Sequence, residues 1–237
     1  VKKIDVLDKG YVRLVDVLGS DLTPVNAARV SYDKASEVLS ERDKRLINFL
    51  IREKHTSPFR HAVLQFEVYA PLMIARQWWK HIIGSSHQEG AQDPMTAWNE
   101  SSRRYVSEAV KFYIPAADQW RSSPEDTKQG SGAMVPLELG EEATKKLLEQ
   151  IEEGMKNYEW ASENGIATEM ARLFLPSAYG LYVRWYWTVS LQGLIHFLDL
   201  RSGEGAQSEI RDYAAALETL AREAFPVSVA AFEETKK

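Results

Sequence analysis

Cysteine is absent from the 237 residues. That excludes disulfides, thiolate metal sites and every mechanism built on a cysteine nucleophile, and it is neutral about redox compartment. A surplus of positive charge is also lacking: the net charge is −5 and the pI about 5.7. No overall field draws nucleic acid or an anionic membrane, so an anionic substrate has to be held by a few local cations. Long apolar runs are missing, and the opening Val1-Lys2-Lys3-Ile4-Asp5 is not the apolar core of a signal peptide. The expected location is cytoplasmic. There is no Gly-x-Gly-x-x-Gly or Walker-type loop, which argues against a dinucleotide-binding Rossmann domain. Histidines are few. His55 and His61 do not have the spacing of a helical chelate, and His81, His87 and His196 are scattered, so no metal site is expected.

What is present suffices for a globular core: 44% hydrophobic and 27% charged residues. No internal repeat or linker divides the chain, so one domain over 1–237 is expected. Thr23-Pro24 predicts a helix start, with Thr23 capping and Pro24 at the first helical position. Ser40-Glu41-Arg42-Asp43 has the form of a capping box, followed by Leu46, Ile47, Leu50 and Ile51 on one face. Over 62–70 apolar residues alternate with Val63, Gln65, Glu67 and Tyr69, which predicts a half-buried strand closed by Pro71, with a helix over 72–81 beyond it. Residues 84–98 and about 116–137 are loop-like in composition. Residues 138–163 carry Leu147, Leu148, Ile151, Met155 and Tyr158 at helical spacing, with Gly165 as a stop. A short helix through Ala171-Arg172-Leu173, a strand over 182–189 and helices over 191–200 and 205–224 complete an α+β, helix-rich reading.

Two places hold chemistry that packing does not require. Trp98-Asn99-Glu100-Ser101-Ser102-Arg103-Arg104-Tyr105 gathers a carboxylate, hydroxyls and guanidiniums after a loop. Such groups hold phosphates and planar heterocycles, though a polar helix start capped by Asn99 or Ser101 is the plainer alternative. Arg172 and Arg201 lie in otherwise apolar helices, where an arginine must meet an anion or reach the surface. A helix C-terminus would account for Arg201, and a pairing with Glu169 for Arg172.

Several ordered pieces together resemble the flavin-dependent thymidylate synthase family, from about residue 2 to residue 232. They are Ala27-Ala28-Arg29-Val30-Ser31, His55-Thr56-Ser57-Pro58-Phe59-Arg60-His61, Ala75-Arg76-Gln77-Trp78-Trp79, Ala171-Arg172 with Leu175-Pro176, and Leu200-Arg201 with Ala206-Gln207. The family signature Arg-His-Arg-x-x-Ser-x-Asn-Glu-x-Ser-x-Arg keeps its second half as Asn99-Glu100-Ser101-Ser102-Arg103-Arg104. Its first half reads Lys80-His81-Ile82, without either arginine, and its spacer is the longer stretch 82–98. Ser190-Leu191-Gln192 stands for a family Asn-x-Arg, and His196 for an asparagine. In the family these departures face the flavin.

The resemblance implies a helix-rich single domain with a small antiparallel sheet and an inserted loop at about 84–98. It implies a methyltransferase of nucleotide biosynthesis: dUMP becomes dTMP, with methylenetetrahydrofolate giving the carbon and NADPH-reduced FAD the hydride. A thiol-dependent synthase is excluded by the missing cysteine. Arg201 is implied as the catalytic group, favouring the N3-deprotonated pyrimidine. Gln77, Trp78, Trp79, Lys80, Glu100, Ser101, Ser102, Arg103, Arg104 and Arg172 are implied with it in binding dUMP. Ser31, Ser57, Lys80, His81, Ile82, Glu100, Ser190, Leu191, Gln192 and His196 are implied to contact FAD. The implied assembly is a homotetramer whose subunits share active sites, with folate and dUMP as small-molecule partners and neither nucleic acid nor membrane. Two alternatives remain open here: a paralogous pyrimidine-nucleotide hydroxymethylase, and a catalytically silent nucleotide-binding protein.

Overall fold

The alternating run at 62–70 forms the middle of the only sheet among the described residues. The computed structural model describes residues 2–79, 81, 97–101, 109–125, 130–175 and 178–236. Strands β1 (Lys3–Val6), β2 (Gly10–Leu18), β3 (Val63–Pro71), β4 (Ala97–Glu100) and β5 (Tyr182–Ser190) are antiparallel in the order β1-β2-β3-β5-β4. Leu64 pairs with Val189, Phe66 with Trp187, and Val68 with Trp185, and all six are buried on the helix-covered face. The strand is not half-buried as expected. Glu67 and Tyr69 on its other face are 9% and 6% exposed, because Tyr11 donates to Glu67 at 2.5 Å and Arg13 pairs with the same carboxylate. A charge satisfied by two neighbours can occupy a covered face.

Around the sheet lie α1 (Leu22–Arg29), α2 (Glu41–Arg52), α3 (Leu72–Trp78), α4 (Leu137–Glu163), α5 (Thr168–Ala171), α6 (Leu191–Arg201), α7 (Ser208–Ala224) and α8 (Pro226–Glu234). No described helix is long and apolar enough to cross a membrane. The capping box at α2 forms as read: Ser40 and Asp43 bond reciprocally. Asp43 is buried and also meets Arg29 at 2.5 Å, which ties the end of α1, next to Ser31, to the start of α2. Helix α4 stops at Glu163, and Gly165 follows with φ +77°, the left-handed conformation glycine tolerates best.

The structure corrects several boundaries. Helix α1 begins before Thr23, whose hydroxyl accepts from the Ser20 amide at 3.1 Å. Helix α3 ends at Trp78 rather than continuing to His81. Residues 97–100, expected to close a loop, with a polar helix start as the alternative, are the edge strand β4; the rest of the expected loop, 84–96, lies outside the described residues. Strands β1 and β2 and helix α8 were not anticipated. Asp21 sends its carboxylate across the fold, accepting from the Val227 and Ser228 amides at 2.9 Å each and from the Ser228 hydroxyl at 2.6 Å. It thus caps the first turn of α8 from a distant part of the chain. Replacing Asp21 by Ala should cost about 1–3 kcal/mol, read as a lower midpoint in urea denaturation with an unchanged slope.

Candidate functional site

Two long-range bonds join the end of α3 to the turn between α6 and α7. The Arg201 Nε donates to Nε2 of His81 at 3.0 Å, and Gln77 Nε2 donates to Oε1 of Gln207 at 2.7 Å. Gln77 and Arg201 are both half-buried, while His81 is buried. Burial lowers the Arg201 pKa, and among the described residues no carboxylate opposes that effect. Among the described residues neither terminal nitrogen of Arg201 has a hydrogen-bond partner. The buried Ser202 hydroxyl beside it is likewise without one. A half-desolvated guanidinium with open donors is a receptor for an anion or an electron-rich carbonyl edge.

The frame beneath is aromatic. Trp78 is fully buried; its ring lies 4.7 Å from Phe197 and meets Trp185 and Trp187 edge-on at 5.3 and 5.2 Å. Packing is therefore its observed role in this chain. Trp79, by contrast, is 48% exposed. The His81 ring stands edge-on to Phe197 at 5.0 Å and lies 6.2 Å from His196. Burial first, then the charges of Arg201 and His196, hold the His81 pKa down to about 4.

Two cavities are lined in part by the elements that meet at this junction, one by α6 and the other by Met73 of α3 and Gln207. One, of about 370 Å³, is lined by His55, Thr56, Gln192, His196 and Asp199 over a floor that includes Leu50, Phe59 and Phe232. The other, of about 360 Å³, is lined by Met73, Tyr113, Trp120, Arg121, Tyr179, Gln207 and Glu209. In the second cavity Arg121 meets Glu209 at 2.6 Å. Burial is the largest influence and works to raise the Glu209 carboxyl, but the Arg121 bond and charge, a backbone amide and Gln207 together outweigh it, and the net shift is downward. Sequence reading gave Arg121, Glu209, Tyr113 and Lys54 no role. A single charged or aromatic residue in a loop or amphipathic helix carries no local signal that it will line a cavity.

The other expected site residues are dispersed. Ser190 is fully buried and caps α6 by accepting from the Gly193 amide at 3.0 Å, and Leu191 is core. Ser31 and Ser57 are exposed in short 3₁₀ turns. Glu100 ends β4, where desolvation raises its carboxyl against the opposing effects of the Trp98 indole and Arg76. Ser101 is exposed and accepts from the Arg184 amide at 3.2 Å. Arg172 is exposed, and its Nε donates to the backbone carbonyl of Glu169 rather than to that residue's carboxylate. No described contact joins Arg172 to Arg201. Lys80, Ile82, Ser102, Arg103 and Arg104 lie outside the described residues. Among the described residues no group of three or more potential ligands could hold a metal ion.

The depressed histidine has a thermodynamic consequence. With a folded value near 4 and an ordinary value of 6.5, the unfolded chain binds more protons than the folded one between these limits, so stability rises with pH there. The contribution is complete above about pH 6.5 and is lost as pH falls toward about 4. The variant His81→Gln should show a shallower fall in denaturation midpoint over this window than the wild type.

The chain is similar to known proteins over nearly all of its length. The family described as "Thymidylate synthase complementing protein" matches residues 13–227. The flavin-dependent thymidylate synthase of Thermosipho melanesiensis is 40% identical over 227 residues, covering 96% of this chain and 92% of that one. The enzyme of the same name from Thermus thermophilus is 43% identical over 231 residues, covering 98% and 78%. Among solved structures, a UMP/dUMP methylase, PolB from Streptomyces cacaoi bound with 5-Br dUMP, superposes with a TM-score of 0.80 at 30% identity, covering 98% of this chain and 97% of the other. The same protein with 5-Br UMP gives 0.80 at 28% identity. With its cysteine-free sequence, five-stranded sheet and near full-length matches, the chain belongs to the flavin-dependent thymidylate synthase family.

Proposed function

We propose that the chain converts dUMP to dTMP, taking the carbon from methylenetetrahydrofolate and the hydride from NADPH-reduced FAD. The observation that carries this reading is the half-buried Arg201, bonded to a neutral imidazole and, among the described residues, to no carboxylate. Uracil offers a carbonyl–imide edge that becomes anionic when N3 loses its proton. A guanidinium fixed against that edge stabilises the anion and raises the electron density available at C5. No thiol has to attack the ring, which suits a sequence without cysteine.

The remaining residues take roles consistent with this centre. Gln77, held by Gln207, orients the base, with Glu100 towards the sugar. Ser101, Ser102, Arg103 and Arg104 hold the nucleotide near its phosphate, and Lys80 and Trp79 border it. Bound FAD supplies the redox chemistry, and the protein contributes position and electrostatics. The cavity bearing Thr56, Gln192 and His196 over an apolar floor has donors for ribityl or phosphate oxygens and a surface for a planar ring, so it fits part of such a cofactor. Ser31, Ser57 and Ile82 border the same group, and the buried Ser190 and Leu191 hold the start of α6 beneath it. Lys54 and His55 also line this cavity and offer it a cation and an imidazole.

Arg172 fits a site shared between subunits. It sits among the exposed apolar residues Met170, Leu173 and Phe174, a surface that a second copy would cover, within a homotetramer. Relatives named for full synthase activity lend no support to the hydroxymethylase or silent alternatives.

The variant Arg201→Lys tests the reading. Turnover should fall about a hundredfold or more, while dUMP affinity measured calorimetrically falls only a few-fold; unchanged turnover would remove Arg201 from the mechanism. The purified protein should show flavin absorbance or acquire it on titration with FAD, and light scattering should give the mass of a tetramer.

A further inference from the structure

Arginine side chains are long, and a guanidinium that must face one edge of a planar ring needs to be aimed. Aiming costs conformational entropy unless the protein supplies it in advance. Arg201 is the last residue of α6, and its anchor is the Nε–H bond to His81 Nε2 at 3.0 Å. An imidazole nitrogen accepts only when it carries no proton, so the bond assigns the His81 hydrogen to Nδ1.

The imidazole is itself held in place. His81 donates its backbone amide to the Trp78 carbonyl at 2.9 Å, and its ring is edge-on to Phe197. Phe197 and Arg201 are four residues apart on the same helix, so they share a face. Aromatic core, imidazole and guanidinium thus form one continuous chain of contacts. Burial and the neighbouring charges of Arg201 and His196 oppose protonation of His81.

The identity of the acceptor matters. A carboxylate at this point would also orient the arginine, but it would neutralise its charge and tend to take two donors at once. A neutral imidazole takes only Nε–H and leaves both terminal nitrogens, with the full positive charge, for the ligand.

We propose that His81 is a positioning residue for the pyrimidine reaction, its Nε2 aiming the Arg201 guanidinium without neutralising it. This rests on the reading of Arg201 given under Proposed function. It assigns His81 a role exerted through Arg201, distinct from the flavin contact that the family resemblance implies.

Three variants of the full-length flavin-loaded enzyme test it: His81→Gln, which keeps a neutral acceptor at similar reach; His81→Glu, which makes the acceptor anionic; and His81→Leu, which removes it. His81→Leu should lower kcat about tenfold or more while FAD content and dUMP affinity stay within about threefold of wild type. His81→Gln should recover most of the loss, and His81→Glu should be as slow as His81→Leu or slower. The proposal is overturned if Leu and Gln variants are equally impaired, if the Leu variant turns over normally, or if it loses FAD, which would make His81 a cofactor contact. Should His81→Leu fail to fold, Gln against Glu decides alone, since both are polar and only Gln is neutral; equal rates would overturn the proposal. Arg201→Lys separates the two levels. If it is fully active, the reading of Arg201 falls and the role of His81 with it. If it is impaired while the His81 variants do not differ, only the role of His81 falls.

Discussion

A guanidinium half-withdrawn from water ordinarily recovers the lost solvation from a carboxylate, and the pair then has little charge left to offer a ligand. Arg201 recovers part of it from His81, a neutral acceptor, and keeps its charge. The consequence extends outward. The end of α3 must meet the end of α6, Gln77 must reach Gln207, and the aromatic rings below must be stiff enough to hold an imidazole in one orientation. The first two are met by the Arg201–His81 and Gln77–Gln207 bonds, the last by the packing of Trp78 against Phe197, Trp185 and Trp187.

The sheet makes that stiffness possible by being covered on both sides at its centre. Hydrophobic rings fill one face, and on the other Glu67 is satisfied by Tyr11 and Arg13. Burial works to raise the Glu67 carboxyl, but the two bonds together with the charges of Arg13 and Arg184 outweigh it, and the net shift is downward. Farther out, Asp43 ties α1 to α2 and Asp21 closes the start of α8. These acids act as satisfied hubs that fix the starts of α2 and α8, two helices whose opposite ends line the cavity with His55 and His196.

How far the sequence revealed this depended on the range of the interaction. Helices α2 and α4 and strand β5 follow from local periodicity and caps, and they form close to where the pattern placed them. Strand β2 was missed because its register shifts between Leu14 and Asp16, a bulge that breaks the alternation on which a strand is recognised. Helix α8 was missed because its cap comes from Asp21, far away in sequence. Glu67 made β3 look half-exposed, since its partners sit on another strand. At the site, Arg201 could be singled out as a cation in an apolar helix and His81 only through the family motif. Their bond spans 120 residues of sequence, and no local pattern encodes it. The cavity residues Arg121 and Glu209 were invisible for the same reason.

The most direct measurement is a crystal structure of the FAD-loaded protein with dUMP. The account predicts the Arg201 terminal nitrogens against the O4–N3 edge of the uracil, with Nε still on His81. A uracil lying elsewhere, or an Arg201 turned away to a carboxylate, would contradict it.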